Sequence, residues 1–198
     1  MRVFVGITGA SGSLYARRLV EEMGKAGVEI FLSVSRMGAV VARAELDAKI
    51  DLDPPPGRSP FEPDLGASFT YYADDDLTAP PASGTFPLDA VVVIPASADT
   101  VAAIASGLAS TLIRRAADVA LKEKRRLIVV PRETPLSAIQ LENMARLARA
   151  GAVVLPAMPA FYTAPRTVDD LIDFVVGKVM DALGIPHRLF RRWGEPAR

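Results

Sequence analysis

Apolar residues in this chain gather into short, nearly continuous runs separated by stretches of helical period. Val3 to Ile7, Val28 to Val34, Ala90 to Ile94, Leu127 to Val130 and Ala152 to Leu155 are the runs, each of strand length and bounded by turn-forming or polar residues. Between the first two, Leu14, Leu19, Val20 and Met23 recur at helical spacing until Gly24 or Gly27 stops the helix. Residues 37–46, 98–107 and 111–124 also read as helices. Ser137-Ala-Ile-Gln140 has capping-box spacing and opens a helix to about Ala150. Thr167 starts a last helix with Val168, Leu171, Ile172, Val175, Val179 and Leu183 on one face.

Strands alternating with helices predict parallel βαβ units with right-handed crossovers. Nearly continuous apolar strands predict helices on both faces of the sheet. The expected fold is α/β: a single doubly wound domain, Rossmann-like or flavodoxin-like, spanning residues 1–198 with a mainly parallel sheet. Its ligands should lie beyond the carboxyl ends of the strands. Two segments break the alternation. Residues 47–88 hold eight of the sixteen prolines and the acidic run Asp74-Asp75-Asp76, and read as a long, mostly irregular excursion of a kind that is often functional or interfacial. Residues 185–198 form a basic tail with the only tryptophan, Trp193.

Composition narrows the chemistry. With no cysteine and one histidine, His187, thiolate nucleophiles, iron–sulfur clusters, disulfides and multi-histidine metal sites are excluded. Lys and Arg total 23, balancing 23 Asp and Glu, so net charge gives no reason to expect nucleic acid or an anionic membrane as partner. No run of about 20 apolar residues exists to span a bilayer. The first residues lack the form of a secretory signal, and a cytoplasmic enzyme is expected.

Four strand ends carry candidate chemistry. Thr8-Gly-Ala-Ser-Gly-Ser13 follows the first strand and opens a helix, where glycines and free N–H groups can receive an anion. Its Gly9-x-x-Gly12 spacing differs from the dinucleotide pattern. The second strand ends in Ser35-Arg36, which leaves an NADP 2′-phosphate as an alternative. The third ends in Pro95-Ala-Ser-Ala-Asp-Thr100, suited either to a flavin or to simple N-capping by Ser97 or Asp99. The fourth ends in Pro131-Arg-Glu-Thr-Pro135, where Arg132 can grip a phosphate and Glu133 can transfer a proton; the bland reading is a surface salt bridge or capping loop. Arg115 and Lys122, seven apart, share a helix face. Phe161, Tyr162 and Trp193 are either pocket wall or core plug. The aspartate run reads as a solvated loop.

In order and spacing, the segments Thr8–Gly12, Ser35, Ala79–Gly84, Arg115–Glu123, Pro131–Pro135, Leu141–Met144, Gly151–Pro156, Phe161-Tyr162 and Arg192–Gly194 resemble the UbiX-type flavin prenyltransferases over nearly the whole length. The resemblance implies transfer of a dimethylallyl group from dimethylallyl phosphate to N5 and C6 of reduced flavin mononucleotide (FMN), without a metal. It implies FMN binding by Gly9, Ala10, Ser11, Ser35, Ser97, Ala98, Asp99, Thr100 and Arg132. Tyr162 and Lys178 would hold the donor phosphate, aided by Arg115, Lys122 and Ser83, the last from a neighbouring subunit. Glu45 and Glu133 would lie near the reacting centre, with Lys122 and Trp193 also catalytic. A homo-oligomer as large as a dodecamer and a UbiD-type decarboxylase as user of the product are implied partners.

Three positions depart from the pattern. Lys178 stands where arginine is common, Ala96 replaces a cysteine, and Asp99 stands where lysine or glycine is frequent, so its carboxylate can alter flavin affinity or ring electronics. Related cysteine decarboxylases use an active-site histidine, and the position of His187 in the tail argues against that chemistry. An FMN- or NADP-dependent oxidoreductase and a non-catalytic flavin carrier are the competing readings.

Overall fold

The computed structural model describes residues 1–46, 49–54, 60–62 and 67–194. Strand β1 (Arg2–Ile7) leads through the Thr8–Gly12 turn into helix α1 (Ser13–Lys25). Then come β2 (Glu29–Val34) and α2 (Arg36–Leu46). Within the excursion, β3 (Lys49–Ile50) pairs antiparallel with β4 (Phe61–Glu62), and β5 (Thr70–Tyr71) joins the main sheet beside β2. After a 3-10 turn at Pro80–Ala82 come β6 (Ala90–Ala96), α3 (Ala98–Ala105) and α4 (Leu112–Lys122). The chain ends with β7 (Arg126–Pro131), α5 (Ala138–Arg149), β8 (Val153–Val154) and α6 (Val168–Leu183), followed by the tail.

The main sheet is six-stranded, in the order β5-β2-β1-β6-β7-β8, with every pair parallel. Chain order reverses between β1 and β6. In an open sheet the crevice beyond that switch point is where ligands bind. Alternation along β1 explains the two layers of core. Val3, Val5 and Ile7 pack with residues of α1, α2 and α6, while Phe4 packs with residues of α3, α4 and α5. All four are essentially inaccessible to water, which leaves polar chemistry to the strand ends.

Five strands and six helices follow the expected pattern, with boundaries shifted by a few residues. The excursion is more ordered than its composition suggests. Its short strands β3, β4 and β5 carry too few residues to show a period, and only pairing with a neighbour defines them. Residues 47–48, 55–59 and 63–66 of the excursion, and 195–198 of the tail, lie outside the described residues.

The acidic run also differs from expectation. Asp75 is exposed, but Asp74 turns inward. Its carboxylate accepts from the Ile113 N–H at 2.9 Å, and its carbonyl accepts from Leu112 N–H at 2.7 Å. These are orphan donors at the start of α4, where Thr111 provides no side-chain cap. Burial pushes the Asp74 carboxyl above the ordinary range, against the hydrogen bonds from Ile113 and Thr111 that favour its charge. Asp74→Ala should therefore lower stability by about 1 kcal/mol, as loss of a helix cap does. Asp74→Asn, which keeps the acceptor without the buried charge, should stay closer to wild type. Thermal unfolding of the two variants at neutral pH checks this.

Candidate active site

The carboxyl edge of the sheet is tied together across the switch point by the Thr8 hydroxyl. It donates to the Pro95 carbonyl at 2.8 Å and accepts from the Ser97 N–H at 2.7 Å, fully buried. The turn after β1 and the turn after β6 are thus held side by side. Two close approaches add α2 to this edge. A Cβ on Gly9 would collide with Met37, and one on Gly38 would collide with the Ile7 carbonyl. The Ser35 hydroxyl accepts from the Gly38 N–H at 3.0 Å and so caps the same helix.

Glu45 occupies the start of α1. Both carboxylate oxygens accept from the Gly12 N–H at 3.0 Å, and one accepts from the Ser13 N–H at 2.7 Å. Burial raises the Glu45 carboxyl, but hydrogen bonds from Ser11, Gly12 and Ser13 outweigh it and hold the group below the ordinary carboxylate range. The anion expected at this helix end is therefore supplied by the protein itself, and the Gly12 and Ser13 donors are already engaged. The reach of an acid from α2 to α1 is a tertiary contact that the spacing of the turn could not reveal. Tyr15 lies against Gly12. Its hydroxyl is raised by burial, an effect eased by Arg132 and reinforced by Glu45, so all three groups share one field.

Uncommitted donors lie one turn away. Ser97 caps α3 by accepting from the Thr100 N–H, and its hydroxyl bonds to that of Thr100 at 3.0 Å. Among the described residues no hydrogen bond uses the N–H groups of Ala98 and Asp99. Arg132, at the end of β7, crosses to donate from Nε to the Ser11 carbonyl at 3.0 Å. Among the described residues no hydrogen bond engages its terminal nitrogens, which suits a bidentate acceptor. The Asp99 carboxylate pairs with Arg114 of α4, so the charge that Asp99 adds near this crevice has a counter-ion. Glu133 is exposed beside Arg132, accepting from the Thr134 N–H at 3.0 Å. Both line a shallow recess with Met144, Pro156 and Met158.

A second cluster is aromatic. Tyr162 packs edge-on against Trp193 at 5.3 Å and against Phe174 of α6 at 6.0 Å between ring centres. Neither Tyr162 nor Trp193 is a core plug, since Tyr162 is 48% and Trp193 83% exposed. Lys178, on the same helix as Phe174, lies 3.9 Å from Asp181. His187 is buried against α6 and bonds Asp181 at 3.1 Å, a structural placement that the sequence did not assign.

Ser83, Arg115 and Lys122 do not join either cluster within the chain. The Arg115 Nε donates to the Ala82 carbonyl at 3.1 Å, and Lys122 pairs with Glu123 close to Gly84. Lys122 precedes the first residue of β7, whereas Arg132 follows its last. At about 3.3 Å per residue the strand between them spans about 17 Å, which puts them at opposite edges of the sheet. A surface depression also lies at that amino edge, but it is open, and its Arg125 and Arg126 already donate to the carbonyls of Phe86 and Leu183 at 2.6 Å.

An open parallel sheet with a charged crevice at its switch point defines a nucleotide-binding α/β protein, and similarity to known proteins specifies which. The Flavoprotein family model matches residues 1–180. The chain is 50% identical over 195 residues to the flavin prenyltransferase UbiX of Halalkalibacterium halodurans, covering 96% of this chain and 92% of that protein. Its fold matches AnUbiX (PadA1), solved in complex with FMN and dimethylallyl pyrophosphate, with a TM-score of 0.87, 36% identity and coverage of 99% and 98% of the two chains. A dodecameric FMN-dependent UbiX-like decarboxylase from Escherichia coli O157:H7 matches with a TM-score of 0.86, 39% identity and coverage of 98% and 100%. The chain belongs to the flavoprotein family and, within it, to the UbiX flavin prenyltransferases.

The Glu45 contacts predict a pH dependence. A carboxyl held below its ordinary value contributes stability that is fully present above its unfolded pKa, near 4.3, and is lost as pH falls through the folded value. Glu45→Gln should therefore be less stable than wild type at pH 7, with the gap closing on acidification below about pH 4. Thermal unfolding of both proteins across that range measures it.

Proposed function

We propose that the chain binds FMN beyond the carboxyl edge of the sheet and transfers a dimethylallyl group to the reduced flavin. The observation that carries this reading is Arg132. It spans the switch point to Ser11, and among the described residues neither its terminal nitrogens nor the N–H groups of Ala98 and Asp99, on the same edge of the sheet, are engaged. A flavin phosphate fits that donor set, because backbone N–H groups at a helix start and a guanidinium fork both favour it. Gly9, Ala10, Ser11, Ser35 and Thr100 complete the walls. Bound reduced FMN supplies N5 and C6 as the nucleophilic positions.

The chain's residues do the rest. Lys178 and Tyr162 hold the phosphate of dimethylallyl phosphate, by charge and by hydroxyl donation respectively. Glu133 protonates the phosphate as it departs, which a dianion needs to leave readily. Positive charge developing on the allyl group is stabilised by the Tyr162 and Trp193 ring faces. Glu45 fixes the turn beside the reacting centre.

Lys122, Arg115 and Ser83 face away from this crevice in their own chain, so they serve the site of a second copy. That arrangement makes the active unit a homo-oligomer, and the dodecameric state of the Escherichia coli relative supports it. The prenylated flavin is the natural product to hand to a UbiD-type decarboxylase. Among the described residues no helix is long and apolar enough to cross a membrane.

Anaerobic incubation of the reduced flavin complex with dimethylallyl phosphate should raise the flavin mass by one C5H8 unit. An unchanged mass defeats the reading. Glu133→Gln should slow that step by about 100-fold, the scale of a lost general acid, while flavin stays bound. Single-turnover quenching with mass detection distinguishes slowed chemistry from lost cofactor.

A further inference from the structure

Asp181 sits in the last turn of α6, where the helix dipole disfavours an acid and the helix offers no basic residue in that turn. Three cations or donors surround it instead. Arg192 grips it with both terminal nitrogens, at 2.7 and 3.2 Å. His187 Nε2 bonds it at 3.1 Å, and Lys178 Nζ lies at 3.9 Å. Arg192 and His187 belong to the tail, and Lys178 to the helix.

The tail is seated closely on α6 around this acid. The His187 ring is buried, with only 2% of its side chain exposed. Its Nδ1 accepts from the Leu189 N–H at 3.2 Å, so its proton lies on Nε2 and points at Asp181. A Cβ on Gly177 would collide with both His187 and Phe190. Phe190 packs on Phe174 at 5.0 Å. One residue past Arg192, Trp193 meets Tyr162 with most of its own surface exposed. A ring so exposed has little burial to hold it, and its position depends on the residues just before it.

We infer that Asp181 is a positioning residue for the allyl-donor pocket: by clamping Arg192 and His187 it holds Trp193 against Tyr162. The same carboxylate restrains Lys178, so one acid sets both the aromatic wall and the cation proposed for the donor phosphate. The catalytic half of this inference rests on the prenyltransferase reading; the clamp itself does not.

Trp193 is the only tryptophan, so its fluorescence anisotropy reports the clamp directly in the full-length protein without flavin or donor. Asp181→Asn should lower that anisotropy. Asp173→Asn, which breaks the Arg18 pair elsewhere on α6, should leave it unchanged. Arg192→Gln breaks the clamp from the tail, outside every helix and strand, and should reproduce the loss if Asp181→Asn disturbs folding. In the flavin complex, Asp181→Asn should raise KM for dimethylallyl phosphate by about ten-fold, the lower end of what a broken charged pair costs, and lower kcat as well, because Trp193 also meets the developing allyl charge, with FMN affinity little changed. Unchanged anisotropy in Asp181→Asn and Arg192→Gln overturns the clamp. Lowered anisotropy with unchanged KM overturns the positioning role. A wild-type protein that binds FMN and never prenylates it defeats the functional reading instead, and the anisotropy still decides the clamp.

Discussion

One buried hydroxyl organises the working edge of this protein. Thr8 donates to Pro95 and accepts from Ser97, and so couples the turns on either side of the switch point. A buried hydroxyl with both functions satisfied is rigid, because releasing either partner leaves a polar group unpaired in the core. Everything proposed for the flavin lies around that stitch: the start of α3, the Ser11 carbonyl and the guanidinium that reaches it from β7.

The electrostatics of the crevice follow from which charges are already spent. Glu45 neutralises the start of α1, and Asp99 is matched by Arg114. What remains unspent is the Arg132 fork and the first N–H groups of α3. That division is why two helix starts of similar composition differ in use. At one the protein supplies its own anion; at the other the donors are those proposed to take the flavin phosphate.

The aromatic wall is built differently. Tyr162 and Trp193 stand on the surface, supported by Phe174, the tail and the charges around Asp181. A pocket completed by a second copy, as proposed, would account for exposed rings in a single chain and for Lys122 and Ser83 at the opposite edge. Assembly would exclude water from it, which strengthens both charge and cation–π interactions.

Sequence by itself determined the layered fold, because nearly continuous apolar runs alternating with helical periods admit little besides a doubly wound sheet. It also marked Arg132 and Glu133, because a charged pair between prolines at the end of an apolar strand is conspicuous in the local pattern. It could not place Glu45 on the start of α1, Asp74 on that of α4 or His187 on Asp181. Those contacts join residues that are distant in sequence or set in segments without a period, and no local spacing encodes them. Only the tertiary structure decided which anion each helix start receives, because the free energy of a buried charge depends on the partners that folding brings within hydrogen-bond reach.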